Sequence, residues 1–172
     1  IENFLNSSYS RLPFEFVWQS RRGTGGGLLS AHKLLVDGPE RFLVVGSDDI
    51  FGASELAKIT SGKGHERWGV HLQMTGPPSG WNLTFDENNR LTGFTTIEKS
   101  NQPRHVGTGA YVLHHSFFSD SFIKLKNGEL SIPHTLIRRS GVEIIPIDHW
   151  LQVNTPAQKQ LAERALTNGK LF

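Results

Sequence analysis

Apolar residues recur along the chain first at helical spacing and later at a spacing of two. Ile1, Phe4 and Leu5 stand at i, i+3 and i+4, which predicts the tail of a helix over residues 1–5. Residues 14–18, FEFVW, read as a strand that ends at Gln19. The next stretch, SRRGTGGGLLSAHKLLV, passes from a polar, glycine-rich run into a helical pattern with Leu28, Leu29, His32 and Leu35 or Val36 on one side. Residues 41–45, RFLVV, are almost continuously apolar, as expected of a central parallel strand covered on both faces. Gly46 stops that run, and the polar group Ser47, Asp48, Asp49 follows. A short helix is predicted over residues 54–59, with Ser54 as N-cap and the glycines at 62 and 64 ending it.

After Gly64 the period becomes two. Residues 68–74 and 81–85 alternate, DENNR leads into LTGFTTIEK, and the Asn88-Asn89 turn between two such runs predicts a β-hairpin. Further strands are expected over 109–113 and 142–147, with helical segments near 116–122 and 133–139. A final helix starts at Pro156, with Thr155 as N-cap and Leu161, Ala165 and Leu166 on its packing face. Alternating strands and helices in the first half predict an α/β sheet with crossovers, and the later stretch an antiparallel excursion attached to it. No internal repeat or low-complexity linker divides the chain, so one domain over residues 1–172 is expected.

Composition narrows the function. A chain of 172 residues buries roughly 70% of its unfolded surface. Its 37% hydrophobic and 20% charged residues exclude a disordered polyelectrolyte. The formal charge is +2, with basic residues scattered except for Arg21/Arg22 and Arg138/Arg139. Nucleic-acid binding would need a basic stripe or a recognition helix, and the sequence offers neither. Small anionic ligands remain open, because they need a local cluster of donors and no net charge. Cysteine is absent, which removes disulfides, thiolate zinc sites and cysteine nucleophiles and fits a cytoplasmic location. No run approaches the ~20 apolar residues that span a bilayer, and the opening IENFLNSSYS lacks a signal-peptide pattern, so no membrane partner is expected. His32, His114, His115, His134 and His149 show no metal-binding spacing and read as structural. Trp68, Trp81 and Trp150 suit either stacking on a ligand or simple burial.

Two segments carry candidate chemistry. Asp48 and Asp49 lie just past the end of an apolar strand, where open α/β sheets place their ligands. Strand geometry points adjacent side chains to opposite sides, so one of the two is expected in the crevice. A carboxylate there can hold Mg²⁺, which takes a few side-chain oxygens and completes its shell with substrate phosphates. The alternative is that Asp48 or Asp49 makes a turn or caps a helix. The GTGGG run at residues 23–27 would let backbone amides approach an anion where the following helix begins, though a merely flexible loop also explains glycines. It lacks the lysine of a Walker loop and the spacing of a dinucleotide fingerprint.

The order FVWQSRRGTGGGLLSAH, FLVVGSDDIF, FTTIEK, GTGAYVL, WLQVNTPAQKQLAERA resembles the sugar-phosphate nucleotidyltransferase family. Its glycine run is most similar to that of the branch that uridylylates N-acetylmuramate or hexose 1-phosphates. The resemblance implies a Rossmann-like mixed sheet flanked by helices, carrying the hairpin and incomplete at the N-terminus. The family's first strand, its G-x-G-T-R-like phosphate loop and a lysine further on would lie outside this chain, on a missing segment or a second chain. It implies a nucleoside triphosphate and a sugar 1-phosphate as partners, Mg²⁺ as cofactor, and release of pyrophosphate. By the same resemblance Gln19, Gly23, Thr24 and Gly25 lie beside the nucleotide, Glu98 and Lys99 near the sugar phosphate, and Gly109 near the sugar ring. Asp48 is the expected catalytic metal ligand. Where the family's tail motif usually carries a metal-binding Asp this chain has Gln152, and Asn154 is expected to take that role. The alternative is an inactive relative that binds nucleotide or sugar phosphate as a regulatory subunit; a third reading is a generic α/β interaction domain.

Overall fold

The computed structural model describes residues 2–74, 80–97 and 102–169. Helix α1 is Glu2–Ser8, α2 is Thr24–Ser30 and α3 is His32–Val36, followed by strands β1, Arg41–Val45, and β2, Asp49–Phe51. Helix α4, Ala53–Ser61, leads to β3, Arg67–Gln73, and then to β4, Gly80–Phe85, β5, Leu91–Ile97, and β6, Arg104–His114. A 3-10 turn over His115–Ser119 precedes β7, Ile123–Lys124, β8, Leu130–Ser131, and α5, Ile132–Ile137. The chain closes with β9, Glu143–Pro146, β10, Trp150–Gln152, and α6, Pro156–Thr167.

The main sheet runs β1-β6-β3-β9, with β6 antiparallel to both neighbours and β9 parallel to β3. It is therefore a mixed sheet, and helices cover both faces. Alternation along β6 sorts the core into two layers. Tyr111 and Leu113 face Leu28, Trp68, Phe117, Ile132 and Leu136 on one side. Ala110 and Val112 face Phe51, Ile59, Ile145 and Ile147 on the other. The β4–β5 hairpin packs on β6. Asp86 ties its turn, with Oδ1 accepting from the amides of Asn88 at 2.9 Å and Arg90 at 2.8 Å, while Asn89 takes φ 56. The expected hairpin is thus present, with a register shift between Thr84 and Phe85.

Several local expectations are corrected. β1 pairs with β6 and, among the described residues, with no other strand, so it is an antiparallel edge and not a central parallel strand. Phe42 and Val44 pack on the core, while Leu43 is 38% and Val45 41% exposed. Residues 14–18 form no strand; extended propensity does not make one without a partner backbone. The glycine run is no loop, because α2 begins at Thr24. Gly52, not Ser54, is the N-cap of α4. Thr155 does cap α6, its Oγ1 accepting from the Gln158 amide at 3.2 Å. The buried residue of that helix, however, is Ala162, with Leu161 and Leu166 exposed.

Candidate functional site

At the end of β1 the chain turns through Gly46, Ser47 and Asp48 into β2. One backbone bond closes this turn and two hold it against neighbouring elements. The Gly46 amide donates to Gly109 O at 2.9 Å, Asp49 N to Gly46 O at 3.3 Å, and Val153 N to Asp48 O at 2.7 Å. β10 pairs with β2 so that Gln152 stands opposite Asp49 and Trp150 opposite Phe51. A cavity of ≈ 680 Å³ lies over this turn, bounded by Gln19, the first turn of α2, the β1 end, Gly107 to Gly109 of β6, and Gln152.

Both Asp48 and Asp49 line the cavity, which departs from the expectation that only one would. The reason is that Asp48 lies in the turn and Asp49 begins the strand, so the alternation of a regular strand does not apply between them. Their surroundings differ. The Asp49 carboxylate accepts from Trp150 Nε1 at 2.7 Å and sits against Gly46 and Gly109, where any side chain would collide with it. Burial raises its carboxyl above the ordinary value; the Trp150 bond opposes this, the Asp48 charge adds to it, and hydrogen bonding from the Gly109 backbone opposes it. Asp48 accepts only a long bond, 3.3 Å, from Gln152 Nε2 among the described residues. Asp48 is therefore the carboxylate with free oxygen positions toward the cavity. Below them, Tyr111 is buried, and burial followed by the Asp49 and Asp48 charges pushes its phenol far above the usual range.

Gln19 lines the cavity and clamps the turn before α2, its Nε2 donating to the carbonyls of Arg21 at 2.6 Å and Gly23 at 3.0 Å. Gly23 takes φ 84, a conformation that favours glycine, and a side chain there would also run into Leu130 and Glu129. Thr24 faces the cavity while its hydroxyl accepts from the Ile132 amide at 3.1 Å, joining α2 to α5. Gly25 is buried against Phe122 and Leu130 and does not line the cavity. Packing explains that glycine. Gly27, where a Cβ would come into ordinary contact with Gln19 Oε1 at 3.5 Å, does line it.

Gly109 lines the cavity, and what its missing side chain makes room for is the Asp49 carboxylate. Gln152 lies in the site and touches Asp48, whereas Asn154 is exposed beyond β10 and does not line the cavity. Glu98 and Lys99 lie outside the described residues. Sequence reasoning missed Trp150 as an Asp49 partner; its spacing two residues before Gln152 gave no sign that β10 would pair with β2.

Chemically, the ionisable side chains that line the cavity are acidic, set among apolar ones such as Leu28, Val44 and Ile132. Among the described residues that bound the cavity, two are carboxylates and none is Lys, Arg or His. Arg22, outside the lining, reaches Glu129 at 3.4 Å. A group of three or more His, Asp or Glu able to hold a metal is absent among the described residues. A hard divalent cation that takes one or two carboxylates and fills its shell from phosphates and water fits the free oxygens of Asp48; a fully protein-caged cation does not.

No protein-family model matches the sequence, and no curated protein matches it either. Solved structures do share its fold. The inositol-1-phosphate CTP transferase from T. maritima superposes with TM-score 0.61 at 18% identity, covering 83% of this chain and 60% of that one. An apo UDP-glucose pyrophosphorylase gives TM-score 0.72 at 18% identity, covering 99% of this chain and 70% of that one. HddC from Yersinia pseudotuberculosis, complexed with GMP-PN, gives TM-score 0.65 at 14% identity, covering 96% and 74%. The chain thus shares the mixed α/β fold of these structures and spans 60% of the length of the first of them. No helix among the described residues is long and apolar enough to cross a membrane.

Proposed function

We propose that this chain carries the nucleotide and sugar-phosphate site of a nucleotidyltransferase that joins a sugar 1-phosphate to a nucleoside monophosphate. In this reaction an oxygen of the sugar phosphate attacks the α-phosphorus of a nucleoside triphosphate. The new O–P bond forms as the bond to the β-phosphate oxygen breaks, and pyrophosphate leaves with that electron pair. The substrate supplies its own nucleophile, so the protein's task is to align two anions and offset their charge.

The observation that carries this reading is the cavity at the strand ends, where a carboxylate with free oxygens faces the glycine-lined first turn of α2. Two anionic substrates entering such a cavity meet carboxylates and no cationic side chain of the described residues. Asp48 would hold a divalent cation such as Mg²⁺, which would supply the charge neutralisation that this lining lacks. Gln152 would orient Asp48 through the 3.3 Å bond. Gln19, Gly23 and Thr24 would border the nucleotide, and Gly109 would act by seating Asp49. Asn154, Glu98 and Lys99 are retained as family-implied ligands of the metal and the sugar phosphate, and the N-acetylmuramate or hexose 1-phosphate uridylyl branch as the nearest resemblance.

The edge of β1 left unpaired among the described residues, with Val45 lining the cavity, supports a further strand pairing there from outside the described residues. The lack of a cation in the described lining also favours a second reading, a chain that binds the ligands without turning them over.

Pyrophosphate release by the complete protein, with each nucleoside triphosphate, a panel of sugar 1-phosphates and Mg²⁺, tests the proposal. Asp48→Ala should reduce turnover by about 10²-fold or more, equivalent to roughly 3 kcal/mol of barrier. Turnover that survives Asp48→Ala or metal chelation rejects the role of Asp48. Saturable binding with no turnover selects the second reading.

A further inference from the structure

The guanidinium of Arg41 presents a hydrogen-bonding edge that no acceptor among the described residues meets. Arg41 opens β1, is half-buried, and donates from Nη1 to Gly62 O at 2.7 Å, closing the C-terminal end of α4. Its Nε and Nη2 are shielded from solvent and have no partner. Those two nitrogens form one side of a planar fork, which matches two oxygens of a carboxylate or a phosphate. Arg67 shows the same edge in use, with Nε 3.0 Å from Glu143 Oε2 and Nη2 3.5 Å from Oε1. An empty edge is unfavourable on Arg41, because a buried donor without an acceptor has lost its water and gained nothing. Glu40, the adjacent carboxylate in sequence, is exposed, and the bond it accepts is made by its backbone oxygen, from His115 N at 3.0 Å.

The register of the sheet sets histidine next to this edge. Arg41 lies opposite His114 of β6, and directly opposed residues of an antiparallel pair project to the same face. The His65 and His114 rings have centroids 4.6 Å apart. His114 Nδ1 accepts from the Ser116 amide at 3.0 Å, so the neutral ring carries its proton on Nε2 and is a donor there. That tautomer cannot ligate a metal through Nε2, and the cluster therefore suits hydrogen-bond acceptors. Charge points the same way, since Arg67 is matched by Glu143 while Lys63, next to Gly62, is exposed. His65 is exposed and rests on His114 by ring contact, so it can turn aside to admit a ligand.

We propose that Arg41, His114 and His65 form a site for a phosphate group, held by the Nε and Nη2 edge of Arg41 and by His114 Nε2. A carboxylate has two oxygens, both taken by the Arg41 edge, whereas a phosphate keeps further oxygens for His114. The two ends of β1 are ~13 Å apart at strand rise, and none of these three residues lines the Asp48 cavity. The site is thus separate from the reaction proposed above and does not depend on it.

Inorganic phosphate and methyl phosphate are titrated at constant pH into the complete protein carrying Asp48→Ala, without divalent cations, against sodium chloride at matched ionic strength. The readouts are the imidazole NMR signals of His65 and His114 and the thermal midpoint. Both phosphates should shift the two histidine signals saturably, and at ten times Kd they should raise the midpoint by about 3–6 °C. Tighter binding of inorganic phosphate marks the free ion as the ligand, and tighter binding of methyl phosphate marks the phosphate of a larger molecule. Arg41→Lys keeps the charge, loses the fork and should weaken binding about tenfold or more; His114→Phe should do the same by removing the Nε2 donor. Absence of a saturable shift leaves water as the partner of the fork and overturns the site, as do shifts that chloride reproduces. Binding unchanged in Arg41→Lys also overturns it, and where that variant does not melt cooperatively, unchanged binding in His114→Phe does so.

Discussion

Gly109→Ala isolates the packing that seats the acidic pair. A Cβ built on Gly109 overlaps a carboxylate oxygen of Asp49, approaches its Cγ to 2.9 Å and lies 3.3 Å from the Gly46 amide nitrogen. The backbone on one side is fixed by the Gly46 to Gly109 bond at 2.9 Å, so the Asp49 side chain is what must move. Its movement breaks the 2.7 Å bond from Trp150 Nε1. A hydrogen bond to a charged group contributes about 1.5–3 kcal/mol, and inserting a methylene into a packed site costs about 1–3 kcal/mol. Because Asp49 is only part-buried, the lower half of the sum is taken, about 2.5–4 kcal/mol, or roughly 5–15 °C in Tm for a domain of this size. Urea and thermal denaturation of the single variants and of Gly109→Ala in an Asp49→Ala background measure the coupling. With the carboxylate gone, the same methyl should cost under ~1 kcal/mol. An equal penalty in both backgrounds would refute the argument that Gly109 exists to make room for Asp49.

Two smaller perturbations check other parts of the fold. Glu55 is buried at the start of α4, and its carboxylate meets Lys58 Nζ at 3.0 Å, His149 Nδ1 at 3.2 Å and the Asp148 amide at 3.4 Å. Burial would raise its carboxyl, but the bonds from Lys58 and His149, the Lys58 charge and the Asp148 amide outweigh it and bring it below the ordinary 4.5. A depressed carboxyl stabilises the fold above its unfolded value and loses that contribution as pH falls through the folded one. Glu55→Gln should therefore lower the urea midpoint at pH 7 by an amount equivalent to roughly 1–2 kcal/mol, modest because Lys58 and His149 are exposed; the deficit should shrink below about pH 4, and a pH-independent deficit counts against the ionic network. Thr155→Ala removes the cap of α6 and should cost about 1 kcal/mol by the same assay, a null effect meaning that the helix end is held by other contacts.

The hairpin, the last helix with its cap, and the acidic turn after β1 were legible because each depends on neighbours in sequence. Asn88 and Asn89 make a turn wherever their flanks alternate, and Thr155 needs only the Gln158 amide. What was not legible depends on distant partners. The pairing of β2 with β10, which brings Trp150 and Gln152 to the aspartates, joins residues about a hundred positions apart. The helical glycines read as a ligand loop because Gly25 packs on Phe122 and Leu130, a contact that composition cannot reveal. The face of α6 was misassigned since its one fully buried position is a small residue, Ala162, between large exposed ones.

A predicted strand that does not form and one that forms at the edge of the sheet share a physical cause. Residues 14–18 and 41–45 both have the apolar content of strands inside a sheet. Among the described residues the first is unpaired, with Phe16, Val17 and Trp18 exposed, and the second is an edge with Leu43 and Val45 exposed. Both segments adjoin the same cavity, through Gln19 at the end of one and Val44 and Val45 in the other. Side chains suited to burial and backbone groups suited to pairing on both borders of one acidic cavity are accounted for together by a sheet that continues between them. Such a strand would also bring new side chains to the one wall where the described residues place carboxylates without a cation. The unpaired backbone and the unbalanced charge would then be two aspects of one feature.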